Sequence, residues 1–247
     1  MPYKRIICLV PSLTELLIDL GVNNRLIGRT KFCIHPEEII KEIPTYGGTK
    51  NPQIEDIIKS NPDLIIANKE ENQKEDIEEL ARHTEVVLTE IDTIEQALDW
   101  ILKLGLKMDR TDESRRLVNE INSTLQQVPE TKPLRTAYFI WKDPWMTVGH
   151  DTYIHDVMEK YSLMNVFVDQ ARYPTTNIED LSSLNPELIL LSSEPYPFKE
   201  KHISELKDVC PDSKIELVNG EWFSWYGSRM TPAFQSLNNW REGLSRK

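Results

Sequence analysis

Ile54-Glu55-Asp56-Ile57-Ile58-Lys59-Ser60-Asn61-Pro62-Asp63-Leu64-Ile65-Ile66 recurs 124 residues later as Ile178-Glu179-Asp180-Leu181-Ser182-Ser183-Leu184-Asn185-Pro186-Glu187-Leu188-Ile189-Leu190. Of the 13 paired positions, 7 are identical and 3 more are conservative. An internal repeat offset by half of a 247-residue chain predicts two related units. Each copy reads as a short helix that stops at Asn-Pro, because proline cannot continue it. A continuous apolar strand follows, Leu64-Ile65-Ile66-Ala67 in one copy and Leu188-Ile189-Leu190-Leu191 in the other.

The same alternation of strand and helix extends outward from both copies. In the first half, strands are expected over 5–10, 26–28 and 85–88, with helices over 12–20 and about 75–83. In the second half the expected strands are 136–141 and 214–218, and the helices about 153–160 and 202–209. Apolar strands between amphipathic helices imply parallel sheets covered on both faces. Residues 93–128 carry no strand signal. Thr93 to Gln96 looks like a capping box, and Leu117, Ile121 and Leu125 recur at four-residue spacing. A helix over 111–128 would span ~27 Å at ~1.5 Å per residue, and Pro129 and Pro133 end it. The expected fold class is therefore α/β: two parallel-sheet lobes joined by a long rigid helix, with a ligand cleft between the lobes. The boundaries are an N-terminal α/β lobe over 1–92, connecting helices over 93–128 and a C-terminal α/β lobe over 129–247.

Composition narrows the function classes. Lys+Arg 29 against Asp+Glu 40 gives a net charge of −11, and no basic run gathers on one segment, which argues against a nucleic-acid binder. No apolar stretch reaches the ~18 residues of a membrane span. Met1-Pro2-Tyr3-Lys4-Arg5 runs directly into Ile6–Val10 without a secretory leader's longer apolar core and cleavage site. The expected location is periplasmic or cell-envelope if a leader was removed, and cytoplasmic if Met1 is the native start. Cys8, Cys33 and Cys210 form neither an even-numbered framework nor a Cys-x-x-Cys pair, so buried thiols are expected.

Two-lobed α/β proteins bind ligands at the carboxyl ends of their strands. The loops expected there are rich in aromatic residues. Trp141 and Trp145 follow the first strand of the second half; Trp222, Phe223, Trp225 and Tyr226 follow its last; Phe32 and Tyr46 occupy loops of the first half. Trp100 and Trp240 sit in helical patterns and read as core. Aromatic residues gathered in loops point to a large, flat, partly apolar ligand, since ring faces offer contact area at low entropic cost. The five histidines form no metal-binding spacing, and Cys33-x-His35 and His150-Asp151 are weak groupings, so no metal site is expected. There is no Gly-x-Ser-x-Gly elbow, no Walker A loop and no Gly-x-Gly-x-x-Gly, so nothing recommends catalysis over binding. Glu55 and Glu179 occupy matched first-turn positions, where a carboxylate is stabilised by the helix dipole. Two symmetric negative knobs would also suit a two-fold partner bearing basic sockets.

The chain resembles the substrate-binding proteins of ABC importers for cobalamin and iron chelates. The resemblance rests on Arg5 to Leu16, on Tyr46-Gly47-Gly48-Thr49 leading through Glu55 to Ala67, and on the second copy from Ile178 to Leu190. It implies that Glu55 and Glu179 dock on arginines of a permease. Within the family the chain is most similar to cobalamin-binding members, through Glu221-Trp222-Phe223 and Trp141 to Gly149. By position Phe32, Tyr46, Trp141 and Trp222 resemble the aromatics lining the corrinoid cleft. Asn68 stands where those members carry a tryptophan, and Ser224-Trp225 replaces a charged pair.

The expected ligand-binding set is Pro11, Ser12, Phe32, Tyr46, Gly47, Trp141, Trp145, Tyr173, Trp222, Trp225 and Arg229. The expected function is non-enzymatic: a monomer that binds cobalamin as a transported ligand, holds no covalent cofactor and delivers its cargo to an ABC permease. A ferric-siderophore or haem receptor is the alternative, haem needing an axial ligand such as Tyr46, His35 or Tyr173, and a siderophore anion favouring Lys31, Arg172 or Arg229. A cytoplasmic corrinoid-handling protein is the other.

Overall fold

The structure, a computed structural model, describes residues 3–245. The chain separates into two units. Unit one comprises Met1–Ile91, Glu95–Asn122 and Tyr226–Arg229; unit two comprises Asp92–Ile94, Ser123–Trp225 and Met230–Lys247.

Along the chain of the first half run β1 (Ile6–Cys8), α1 (Pro11–Asp19), β2 (Leu26–Arg29), α2 (Glu37–Ile40), α3 (Ile54–Lys59), β3 (Leu64–Asn68), α4 (Lys74–Ala81), β4 (Val86–Thr89), α5 (Ile94–Lys107) and α6 (Thr111–Leu125). The strands form one sheet in the order β2-β1-β3-β4, parallel throughout. β1 and β3 are central and buried along their whole length, which is why they read as unbroken apolar runs. Ile7, Leu9, Ile65 and Ala67 pack under Ile57 of α3 and Ile77 and Leu80 of α4.

The second half continues with β5 (Leu134–Trp141), β6 (Met146–Thr147), α7 (Tyr153–Lys160), β7 (Leu163–Asn165), α8 (Ile178–Leu181), β8 (Leu188–Ser192), α9 (Glu200–Val209), β9 (Lys214–Val218), α10 (Glu221–Ser224) and α11 (Met230–Ser245). Its sheet runs β6-β5-β8-β9, with β7 pairing the start of β5. The expectation of wholly parallel sheets needs one correction: β6 is antiparallel to β5. Only Asp143, at φ 65°, and its neighbours separate the two strands, and so short a loop can join only antiparallel strands. The 111–128 helix also ends earlier than expected, at Leu125, ahead of Pro129.

The repeat has a structural signature. Asn61 and Asn185 adopt left-handed backbone, φ 48° and 47°, a conformation asparagine tolerates better than most residues and one that ends a helix. In the first copy α3 runs to Lys59, whereas in the second α8 is continued by a 3-10 turn, Ser182–Leu184. Helix ends leave carbonyls without intrahelical donors. Arg5 Nε donates to the Asn61 carbonyl at 3.0 Å, and Arg135 Nε to the Asn185 carbonyl at 3.1 Å. The conservative pair Asp63 and Glu187 completes the match, each carboxylate accepting from the backbone N–H of its arginine. The duplicated motif thus includes the first strand of each unit.

Candidate functional site

Each unit presents its own strand-end face, and the two differ in chemistry. In unit one the face is polar beneath. Asn68, at the end of β3, is buried; its Oδ1 accepts from the N–H groups of Glu70 (2.8 Å) and Glu71 (3.2 Å), and its Nδ2 donates to Thr89 Oγ1 (3.1 Å). Asn72 Oδ1 accepts from Asn68 N–H, while its Nδ2 donates to the carbonyls of Leu9 (3.3 Å) and Thr49 (3.0 Å). A buried polar set with its groups satisfied fixes loop geometry. Asn68 thus links the end of β3 to β4, and Asn72 ties the segment after β3 to the carbonyls of Leu9 and Thr49.

Phe32 is the exposed aromatic of this face, 50% accessible in the loop after β2. Tyr46 is half-buried and lies flat against β2: a Cβ on Gly28 would fall 2.5 Å from Tyr46 Cδ2 and Cε2, so the ring needs glycine beneath it. Gly47 turns the chain at φ +81°, in the left-handed region that favours glycine. Pro11 opens α1 at its first turn, a position that needs no N–H. Ser12 is buried beside Gly227, whose Cβ, if present, would lie 3.3 Å from the Ser12 carbonyl.

Arg229 is not free to meet a ligand anion. Its Nε donates to Glu15 Oε2 at 3.0 Å and its Nη2 to Glu15 Oε1, a bidentate pair holding Tyr226–Arg229 against α1. Burial raises the Glu15 carboxyl above its ordinary range, against the opposing pull of Arg229. The Tyr226 phenol is likewise pushed well up by burial. Cys8 and Cys33 are buried beside Thr14; the Cys8 thiol is pushed up to about 12, chiefly by burial, which leaves it inert as a nucleophile.

The face of unit two is aromatic. Trp141, the last residue of β5, is 39% exposed, and Tyr196 meets it edge-on at 5.5 Å. Trp222 is half-buried in the first turn of α10, after β9. β8 lies between β5 and β9, so these backbones stand about 10 Å apart across the sheet. Tyr173 is half-buried, with the Arg172 guanidinium 5.9 Å from its ring centroid.

Two expected ligand aromatics need correction. Trp145 is 8% exposed and stacks on Phe198 at 5.6 Å with 18° between planes, inside the core of the sheet's helical layer. Trp225 is also 8% exposed; its Nε1 donates to Glu194 Oε1 at 2.8 Å, and the same oxygen accepts from Ser224 Oγ at 2.9 Å. Each ring is held inward by its partner, Trp145 by the Phe198 ring and Trp225 by the Glu194 carboxylate. Conversely Trp100 and Trp240, expected in the core, are half-buried, their indole N–H groups donating to the Glu90 carbonyl and to Glu216 Oε2.

Sequence reasoning missed Tyr196 and Phe198, although Pro195-Tyr196-Pro197-Phe198 follows the apolar run of β8 after Ser192-Ser193-Glu194 and carries the same aromatic signal at a strand end as Trp141. Glu194 and Glu15 carry no local motif. Gly220 makes room for Glu194: a Cβ there would lie 2.5 Å from Glu194 Cγ.

Glu55 and Glu179 lie in the first turns of α3 and α8, both exposed, Glu55 at 90% of its side chain with Lys59 Nζ 3.6 Å away. Among the described residues no group of three or more His, Cys, Asp and Glu side chains could hold a metal, and no helix is long and apolar enough to cross a membrane.

The family model for the periplasmic binding protein matches residues 6–209. That family comprises solute-binding proteins rather than enzymes. A vitamin B12-binding protein of Vibrio parahaemolyticus serotype O3:K6 is 25% identical over 257 residues, covering 100% of this chain and 92% of that one. An ABC transporter substrate-binding lipoprotein of Bacillus subtilis (strain 168) is 26% identical over 202 residues, 76% of this chain and 63% of that one. Among solved structures, the periplasmic vitamin B12-binding protein of Vibrio cholerae superposes with a TM-score of 0.85 at 19% identity, covering 100% and 99% of the two chains. The periplasmic haem-binding protein of Roseiflexus sp. RS-1 reaches the same TM-score, 0.85, at 16% identity over 98% and 99%. At these identities the structures establish a shared fold and leave the ligand open.

Proposed function

The chain belongs to the periplasmic binding protein family, and from that premise we propose that it is the substrate-binding component of an ABC importer whose cargo is a corrinoid of the cobalamin type. The observation that carries this reading is the aromatic face of unit two, where Trp141, edged by Tyr196, ends β5 and Trp222 sits in α10 after β9, the two strands being separated in the sheet by β8 alone. A flat macrocycle is the ligand class that accessible rings gathered after neighbouring strands contact best. Relatives named for vitamin B12 binding, aligned along the whole chain, support the same choice. On the unit-one side Phe32, Tyr46 and Gly47 are the proposed contacts, with Pro11 and Ser12 shaping the loop after β1. Tyr173 belongs to the proposed set in unit two. The relatives named as periplasmic or as lipoproteins support a location outside the cytoplasmic membrane.

Tryptophan emission and thermal shift, followed during titration with cyanocobalamin, haemin and a ferric siderophore, test the reading. Cyanocobalamin should quench and stabilise, and Trp222→Ala should weaken its binding by about 1–3 kcal/mol, the range of a truncated aromatic anchor. Stabilisation by haemin or siderophore with no response to cyanocobalamin would replace the corrinoid with that ligand.

We further propose that Glu55 and Glu179 orient the loaded protein on the permease, and that the protein acts as a monomer. Both carboxylates are exposed and stand at equivalent points of a duplicated motif, which suits a two-fold partner with basic sockets. Charge reversal at both should abolish permease-dependent uptake while cyanocobalamin affinity in solution stays unchanged. Unchanged uptake would reduce them to helix-end carboxylates.

A further inference from the structure

The cations of the strand-end loops differ in whether a carboxylate already holds them. Arg229 is engaged by Glu15; Arg172 stands 3.5 Å from Asp92 and 3.8 Å from Asp151; Lys69 pairs with Glu90 and Lys142 with Glu205. Lys50 Nζ donates to the Glu70 carbonyl. Lys31 and Lys199 form no ion pair with a carboxylate among the described residues, and of the two Lys31 stands apart, its ammonium 5.1 Å from the centroid of the exposed Phe32 ring.

The pair is held in place. Lys31 N–H donates to the Gly47 carbonyl at 2.8 Å and Tyr46 N–H to the Arg29 carbonyl at 2.8 Å, so the loop after β2 is laced to the Tyr46–Gly48 segment. A Cβ on Gly48 would lie 3.1 Å from Phe32 Cε2 and 3.5 Å from Lys31 Cε, so both side chains rest on bare backbone. An ammonium over a ring face is attracted by the ring's quadrupole without being neutralised. In a chain of net charge −11, an anionic ligand group meets a repelling field unless a local cation offsets it.

We propose that Lys31 is an anion-recognition residue of the ligand site, meeting a fixed negative group on the rim of a flat ligand while Phe32 covers part of its apolar surface. The inference rests on the corrinoid reading for its first probe: cobalamin carries a phosphodiester in its nucleotide loop, and cobinamide lacks it. A phosphodiester or carboxylate would take one charge-assisted hydrogen bond from Nζ.

Affinities of the wild type, Lys31→Gln and Lys31→Arg for cyanocobalamin and dicyanocobinamide, at low and high salt, test this. Lys31→Gln should weaken cyanocobalamin about tenfold and flatten its salt dependence. Lys31→Arg should retain most of the affinity, and dicyanocobinamide should bind all three proteins alike. Equal binding of cyanocobalamin by wild type and Lys31→Gln overturns the proposal, as does an equal loss for dicyanocobinamide. If the wild type binds neither corrinoid, the corrinoid reading fails by itself. Haemin, with two propionates, and an anionic ferric siderophore then read the lysine: a loss in Lys31→Gln supports it, and unchanged binding or no binding of any of these anions overturns it.

Discussion

Replacing Arg229 with alanine is expected to destabilise the protein by about 3 kcal/mol at neutral pH, because it leaves the Glu15 carboxylate buried without its partner. Glu15 lies within α1, and both of its oxygens accept from Arg229. The effect carries a pH signature whose sign follows from the direction of the Glu15 shift. Burial raises this carboxyl above its unfolded value even with Arg229 present. A group with a raised folded pKa binds protons more strongly in the native state, so stability falls as pH rises from the unfolded value through the folded one. Without Arg229 the folded value rises further and the window over which stability is lost becomes longer. The gap between variant and wild type should therefore be small in acid, where Glu15 is protonated in both, and widen toward neutrality. Urea denaturation of the two proteins across that range checks it, and a gap that does not change with pH would contradict the assignment.

Phe223→Ala is expected to have a comparable effect, about 3–4 kcal/mol. Phe223 is fully buried, 5.0 Å from the Tyr138 ring and 6.2 Å, edge-on, from Trp240. It pins α10, which also carries Trp222, onto the sheet and α11. Truncation leaves a cavity beneath the aromatic face and removes one wall from Trp240, so indole emission should shift to the red along with the loss of stability. Phe223→Leu, which keeps much of the volume, should cost about 1 kcal/mol. A loss for alanine no larger than for leucine would mean that α10 is anchored elsewhere, through Glu194 and Trp225.

Much of the fold was legible in the duplicated segment around Asn61-Pro62 and Asn185-Pro186. The central strands β3 and β8 are buried on both faces, and such strands read as apolar runs. α7 and β9 fall at the residues that periodicity assigned, Tyr153–Lys160 and Lys214–Val218. What periodicity cannot encode is the direction of a side chain in a loop. Trp141 ends β5 and Trp145 lies four residues on in the loop that follows, yet one is exposed and the other stacks on Phe198. β6 and β7, two and three residues long, are too short for any pattern and are defined by their pairing with β5. Glu15 occupies an apolar stretch of α1, Leu13-Thr14-Glu15-Leu16-Leu17, where burial was foreseeable but its partner, 214 residues away, was not.

The strand-end faces of the two units differ in chemistry. Asn68, Asn72 and Thr89 make the strand ends of unit one a hydrogen-bonded platform, beside which Phe32 is exposed with Lys31 above it. In unit two Trp141, Tyr196 and Trp222 leave ring surface accessible after the strands.

Equilibrium dialysis of the full chain against cyanocobalamin tests the central claim most directly, since bound corrinoid is read by its own absorbance. One corrinoid per chain with a Kd below about 1 μM is the predicted result. No retention at about 100 μM, about a hundredfold above that limit, would contradict it.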